Sequence, residues 1–79
     1  MLEELIFEYW VYRIVDHNSR AGRIALDRIR TVTAAQEPAL AGVSDRCLTD
    51  AALNFSSSRR VTFPAYLRRK MREYGELTT

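Results

Sequence analysis

The first sixteen residues constrain this chain more than any other stretch. Leu2, Leu5, Ile6, Phe7, Tyr9, Trp10, Val11, Tyr12, Ile14 and Val15 leave little room for polar side chains. Glu3 and Glu4 stand at the start, where carboxylates favour the positive end of a helix dipole. The β-branched and aromatic content would also suit a strand, but Glu8 and Arg13 lie five apart and break the alternation a half-buried strand needs. The segment therefore predicts a helix over 2–17. A surface helix buries one stripe, whereas this apolar set wraps most of the circumference. Such a helix either lies at the centre of a core or shares its surface with another molecule.

Length sharpens that choice. The 79 residues make one domain, 1–79, and a domain of this size buries only about 60% of the surface its unfolded chain exposes. Three further short helices can hardly cover both sides of the first one, so a homodimer or another partner protein is expected. A hydrophobic share of 47%, a charged share of 28%, three Gly and two Pro exclude a disordered, collagen-like or low-complexity chain. Cys47 is the only cysteine, so no internal disulfide framework exists and a reducing compartment is expected. The acidic start lacks the positive charge of a signal peptide, and no apolar run exceeds four residues. These features predict a cytoplasmic protein without a membrane span.

The rest of the chain reads as three more helices, giving an all-α bundle of about four. His17-Asn18-Ser19 is a turn, with Asn18 or Ser19 able to cap a helix from Arg20 to Ala35. Ala21, Ala25, Ile29 and Val32 share one face of it with Leu26 at the edge, and Arg20, Arg23, Asp27 and Arg30 share the other. The small residues Ala21, Gly22 and Ala25 admit a close neighbour, for which the first helix is the natural candidate. Pro38 and Gly42 mark a break. Ser44 caps a third helix whose stripe is Cys47, Leu48, Ala51, Ala52 and Phe55. Thr62 caps a fourth, with Pro64 tolerated in the first turn. Its apolar face is Phe63, Tyr66, Leu67, Met71, Tyr74 and Leu77. Lys70 projects into that face, where it either snorkels to water or meets an acidic group of a partner.

Charge alternates along the chain. Residues 1–16 carry −3, residues 17–36 carry +3, residues 37–55 carry −2 and residues 56–79 carry +4, for a net +2. Eleven of the twelve basic residues are Arg, whose planar fork suits phosphate and carboxylate. Two candidate patches for nucleic acid or an acidic partner follow: Arg59, Arg60, Arg68, Arg69 and Arg72, and separately Arg20, Arg23 and Arg30. The candidate protein interface is Phe7, Trp10, Val11 and Ile14, together with Lys70.

Convergent catalytic chemistry is scarce. His17 is the only histidine, so metal sites built from His and Cys fail at the first count. Cys47 lies on an apolar stripe, where a thiol is normally inert. Dinucleotide, Walker and EF-hand loops are absent from the sequence. The expectation is a non-enzymatic protein with no cofactor, no metal and no small-molecule substrate.

From Phe55 the chain reads Phe-Ser-Ser-Ser-Arg-Arg-Val-Thr-Phe-Pro-Ala-Tyr-Leu-Arg-Arg-Lys-Met-Arg. This resembles the second conserved region of bacterial sigma factors, with its pattern close to F-D-x-S-R-G-V-x-F-x-x-Y-A-x-x-x-I-R. Phe55, Ser58, Arg59, Val61, Phe63, Tyr66, Met71 and Arg72 hold corresponding places, and Leu48 and Ala51 extend the register backwards. The resemblance covers residues 48–72. The family's Asp-Leu-x-Gln contact to the polymerase clamp would fall near Ala39–Gly42, where only Leu40 agrees. Its promoter-opening aromatics would fall on Arg69 and Lys70. The resemblance thus implies a related helical scaffold in which cations replace the melting groups, and a transcription-associated DNA-binding module acting through the Arg faces. The alternative is a protein-binding inhibitor or adaptor, of accessory or mobile-element type, acting through the aromatic surface of the first helix.

Overall fold

Hydroxyl side chains open three of the helices. Ser19 Oγ accepts from the Gly22 N–H at 3.2 Å, Ser44 Oγ from Cys47 at 3.1 Å, and Thr62 Oγ1 from Ala65 at 3.4 Å. Each satisfies one of the donors a helix start leaves unpaired, an effect of about 1 kcal/mol. The computed structural model describes residues 2–16, 19–56 and 60–77. Within them α1 is Leu2–Val15, α2 Arg20–Gln36, α3 Asp45–Asn54 and α4 Phe63–Glu73, with a 3₁₀ turn at Pro38–Leu40. No strand occurs among the described residues, and the architecture is a small all-α bundle. None of the described helices is long and apolar enough to cross a membrane. His17 and Asn18, assigned to the first turn, lie outside the described residues.

Helix ends follow local chemistry. Pro38 disfavours the helical conformation of the residue before it, and Glu37 is extended at φ −138°, ψ 95°. At the end of α4, Gly75 adopts φ 76°, a conformation glycine reaches without strain. The Gly75 N–H donates to Arg72 O at 3.1 Å and the Glu76 N–H to Met71 O at 2.7 Å, which closes a Schellman motif. The helix therefore ends with Tyr74 as its C-cap, which still packs on the core margin, and Leu77, which the sequence pattern had placed on the same face, reaches that margin from the reversed chain instead. The same reversal carries Glu76 to the start of α3. Its carboxylate accepts from the Ser44 N–H at 2.9 Å and from the Ser44 hydroxyl at 2.5 Å.

The centre of the core comes from α2, α3, α4 and the 3₁₀ turn. Ile29, Cys47, Leu48, Ala51 and Leu67 have no exposed surface, and Leu40 and Met71 almost none. Helix α1 contributes only Ile6 and Tyr9 as fully buried side chains. It packs mainly on α2 and less on α3. The close approach occurs at Gly22, where a Cβ would stand 3.5 Å from the Cβ of Tyr12. Of the two placements the sequence allowed for the first helix, a central one is not found. It lies on the outside of the bundle, because α3 and α4 complete the core with α2 and leave it one side to cover.

The buried stripe of α2 is Gly22, Ala25, Leu26, Ile29 and Thr33. It is rotated from the expected Ala21–Val32 face toward Leu26 and Thr33, which draws Arg30 to the flank. The Thr33 hydroxyl is buried with no hydrogen-bond partner among the described residues. An unsatisfied hydroxyl costs about 1–3 kcal/mol. Thr33→Val should therefore raise stability by about 1 kcal/mol in urea unfolding. A loss of stability instead would mean that the hydroxyl is satisfied.

Candidate docking surface and the arginine clusters

The residues Phe7, Trp10, Val11 and Ile14 follow the i, i+3, i+4, i+7 spacing that aligns side chains on one helix face. That face turns away from Ile6 and Tyr9 and into solvent. Phe7 is 68% exposed, Trp10 43%, Val11 39%, Ile14 61% and Val15, which extends the patch, 81%. With side chains of this size the exposed apolar surface is roughly 500 Å², near the upper end of what monomers carry.

The patch runs into a cleft of about 420 Å³ between α1 and the end of α3, with Ile6, Phe7 and Trp10 on one wall and Leu53 and Phe55 on the other. Phe55 is held by α4: its ring meets Phe63 edge-on at 5.3 Å and Tyr66 at 5.6 Å. The far wall is thus fixed by the α3–α4 corner, over which the residue pattern of 48–72 runs. Leu48, Ala51, Phe63, Tyr66 and Met71 of that pattern are core residues of the corner, and Val61 is exposed. Ser58 lies outside the described residues.

The exposed or half-buried carboxylates of α1 flank the patch. Glu3 and Glu4 are exposed and Glu8 is half-buried. Arg13, the one base of α1, turns inward, where its Nη1 donates to the Tyr9 oxygen at 3.1 Å; the Tyr9 hydroxyl donates to Thr49 Oγ1 at 3.4 Å.

Among the described residues, four arginines of the two patches are tied to carboxylates of the same chain. Arg23 lies 3.1 Å from Asp45, and Arg30 donates both to Asp45 and to the Val43 carbonyl. Arg30 thus leaves the exposed face on which the sequence pattern had put it beside Arg20 and Arg23. Arg68 pairs with Glu37 at 2.6 Å and Arg69 with Glu73 at 3.5 Å. Arg20, Arg60 and Arg72 are exposed, and Arg72 has interactions of its own. Arg59 lies outside the described residues.

Lys70 does not join the α1 face. Its ammonium sits 3.7 Å from Asp50 and 3.8 Å from Glu73, and 5.8 Å from the centre of the Tyr66 ring, so the acidic group it meets belongs to its own chain. Asp50 also accepts from Tyr74 at 2.6 Å and from Asn54 at 2.6 Å. The Tyr74 hydrogen bond, then Lys70, holds the Asp50 carboxyl below its ordinary range against an opposing desolvation, and the same bond raises the Tyr74 hydroxyl. A depressed carboxyl stabilises the fold above its unfolded pKa, and that contribution is lost as pH falls through the folded value.

Cys47 is fully buried. Burial first, then the carboxylates of Glu76 and Asp50, pushes its thiol up to about 11. Since thiolate is the reactive form, alkylation near pH 8 should run ~100-fold slower in the folded chain than in guanidinium. A thiol raised in the folded state favours folding below its unfolded pKa, so that contribution declines as pH climbs from about 9 to about 11. Equal labelling rates for folded and unfolded chains would contradict this placement.

Among the described residues, no group of three or more His, Cys, Asp or Glu side chains is placed to hold a metal ion. Sequence reasoning missed Leu53 and Phe55 as a cleft wall, because that role depends on where α1 lies. Comparison with known proteins finds no matching family model, no matching curated protein and no matching solved structure.

Proposed function

We propose that this chain is a non-enzymatic regulatory module of the cytoplasm that binds another protein through the outer face of α1. The observation that carries the reading is the apolar row Phe7, Trp10, Val11 and Ile14, left uncovered on a helix whose other side is packed. Trp and other aromatics dominate interface hot spots, and a rigid helix presents them at little entropic cost. An inhibitor or adaptor acting on a larger protein uses such a face.

A second reading is the transcription-associated one, contact with nucleic acid through Arg20, Arg60, Arg69 and Arg72. The exposure of these residues favours it, as does the sigma-like α3–α4 corner. Against it, Asp45, Glu37 and Glu73 already neutralise much of Arg23, Arg30, Arg68 and Arg69. With about three phosphates engaged, log K should fall against log salt with a slope near −3.

Purification of the tagged chain from its native cells separates the two. A protein recovered in near-equal amount, lost on Phe7→Gln with Ile14→Gln and kept on Arg60→Gln with Arg69→Gln, is the expected result. Recovery of nucleic acid that depends on the arginine pair would overturn it.

A further inference from the structure

The acidic rim of the α1 face specifies the chemistry of what docks there. We infer that the occupant is a basic amphipathic helix of another protein, whose apolar stripe lies along Phe7 and Ile14. One or two large apolar side chains of that helix enter the cleft between Trp10 and Phe55. The inference rests on the protein-docking reading above.

Three observations support it. Glu3, Glu4 and Glu8 border the face, and the only base of the helix, Arg13, is turned inward onto Tyr9. Lys or Arg flanking a docked apolar stripe would meet these carboxylates, at the partly covered rim where such pairs direct orientation and partner choice. The 14 residues of α1 give about four turns, the length over which an i, i+3, i+4, i+7 stripe is read. The cleft, at about 420 Å³, falls within the size range of ligand pockets and is lined mainly by apolar side chains on its two walls.

A second copy of this chain fits less well. Paired in parallel, two α1 helices would set Glu3, Glu4 and Glu8 against themselves. Paired antiparallel end to end, they would lay Glu3 beside Ile14 of the second copy and Glu4 beside its Arg13, which is already held by Tyr9. A basic helix has neither defect.

The test uses the whole chain and two synthetic helices of the same 14-residue length as α1, one of Leu and Lys, the other of Leu and Glu with the same apolar pattern. Trp10 is the only tryptophan, so its emission reports occupancy directly. The Leu/Lys helix should shift that emission to the blue and bind at least about ten-fold tighter than the Leu/Glu helix, with the preference shrinking as salt is added. The Glu3→Gln, Glu4→Gln, Glu8→Gln variant should lose the preference while its net positive charge increases, which separates the rim from non-specific attraction. Equal binding of both helices, or binding of neither, overturns the inference. A concentration-dependent dimer in light scattering that buries Trp10 also overturns it, by showing a second copy as occupant. The docking reading itself is judged apart from these results by the native-cell purification.

Discussion

Leu67→Ala is expected to lower the melting temperature by about 12–24 °C. Leu67 has no exposed surface and stands on α4 among the core residues contributed by α2, α3 and the 3₁₀ turn. Truncating a buried Leu removes its transfer energy and leaves a cavity, together about 3 kcal/mol. For 79 residues the whole stability is roughly 4–12 kcal/mol. One methyl-rich side chain therefore accounts for a large share of what keeps the bundle folded. Thermal unfolding followed by far-UV circular dichroism measures the shift; a change below about 4 °C would mean that α4 is not seated in this core.

The opposite pattern is expected for Phe7→Gln, Val11→Gln, Ile14→Gln. These side chains face solvent, and Gln is a good helix former, so the melting temperature should stay within about 4 °C of the parent. Binding should suffer far more. Truncated hot-spot residues cost about 2–4 kcal/mol each, so loss of the row should weaken the partner complex by more than about 100-fold. The dissociation constant against the partner recovered from native cells provides the measurement. The contrast between the two variants matters more than either alone: α4 should carry stability without binding, and the outer face of α1 binding without stability. If the triple variant instead unfolds as Leu67→Ala does, α1 is buried.

What the sequence reveals and what it hides divides along local and non-local physics. The capping roles of Ser44 and Thr62, the break at Pro38 and the stripes of α3 and α4 depend on residues within a turn or two, and all are legible from spacing. The end of α4 is not, because Leu77 satisfies the helical period as well as Tyr74 does and only the left-handed Gly75 between them turns the chain away. The first helix shows the limit most clearly. With apolar residues all round, its pattern cannot state which side faces inward; the structure seats the Tyr12 side against Gly22 of α2 and buries Ile6 and Tyr9. Arg30 and Arg68 look free in sequence because their partners are distant in the chain. Arg68 and Glu37 are 31 residues apart, and Arg30 and Asp45 are 15 apart.

The central claim is that the outer face of α1 is open in the isolated chain and covered in the cell. Hydroxyl-radical footprinting, run on dilute purified protein and again inside native cells, tests it directly. Phe7, Trp10 and Ile14 should oxidise readily in the first sample and be protected in the second, while Leu48 and Leu67 stay protected in both. Protection of Trp10 and Phe7 already in the dilute chain, or equal oxidation in both samples, would contradict the account.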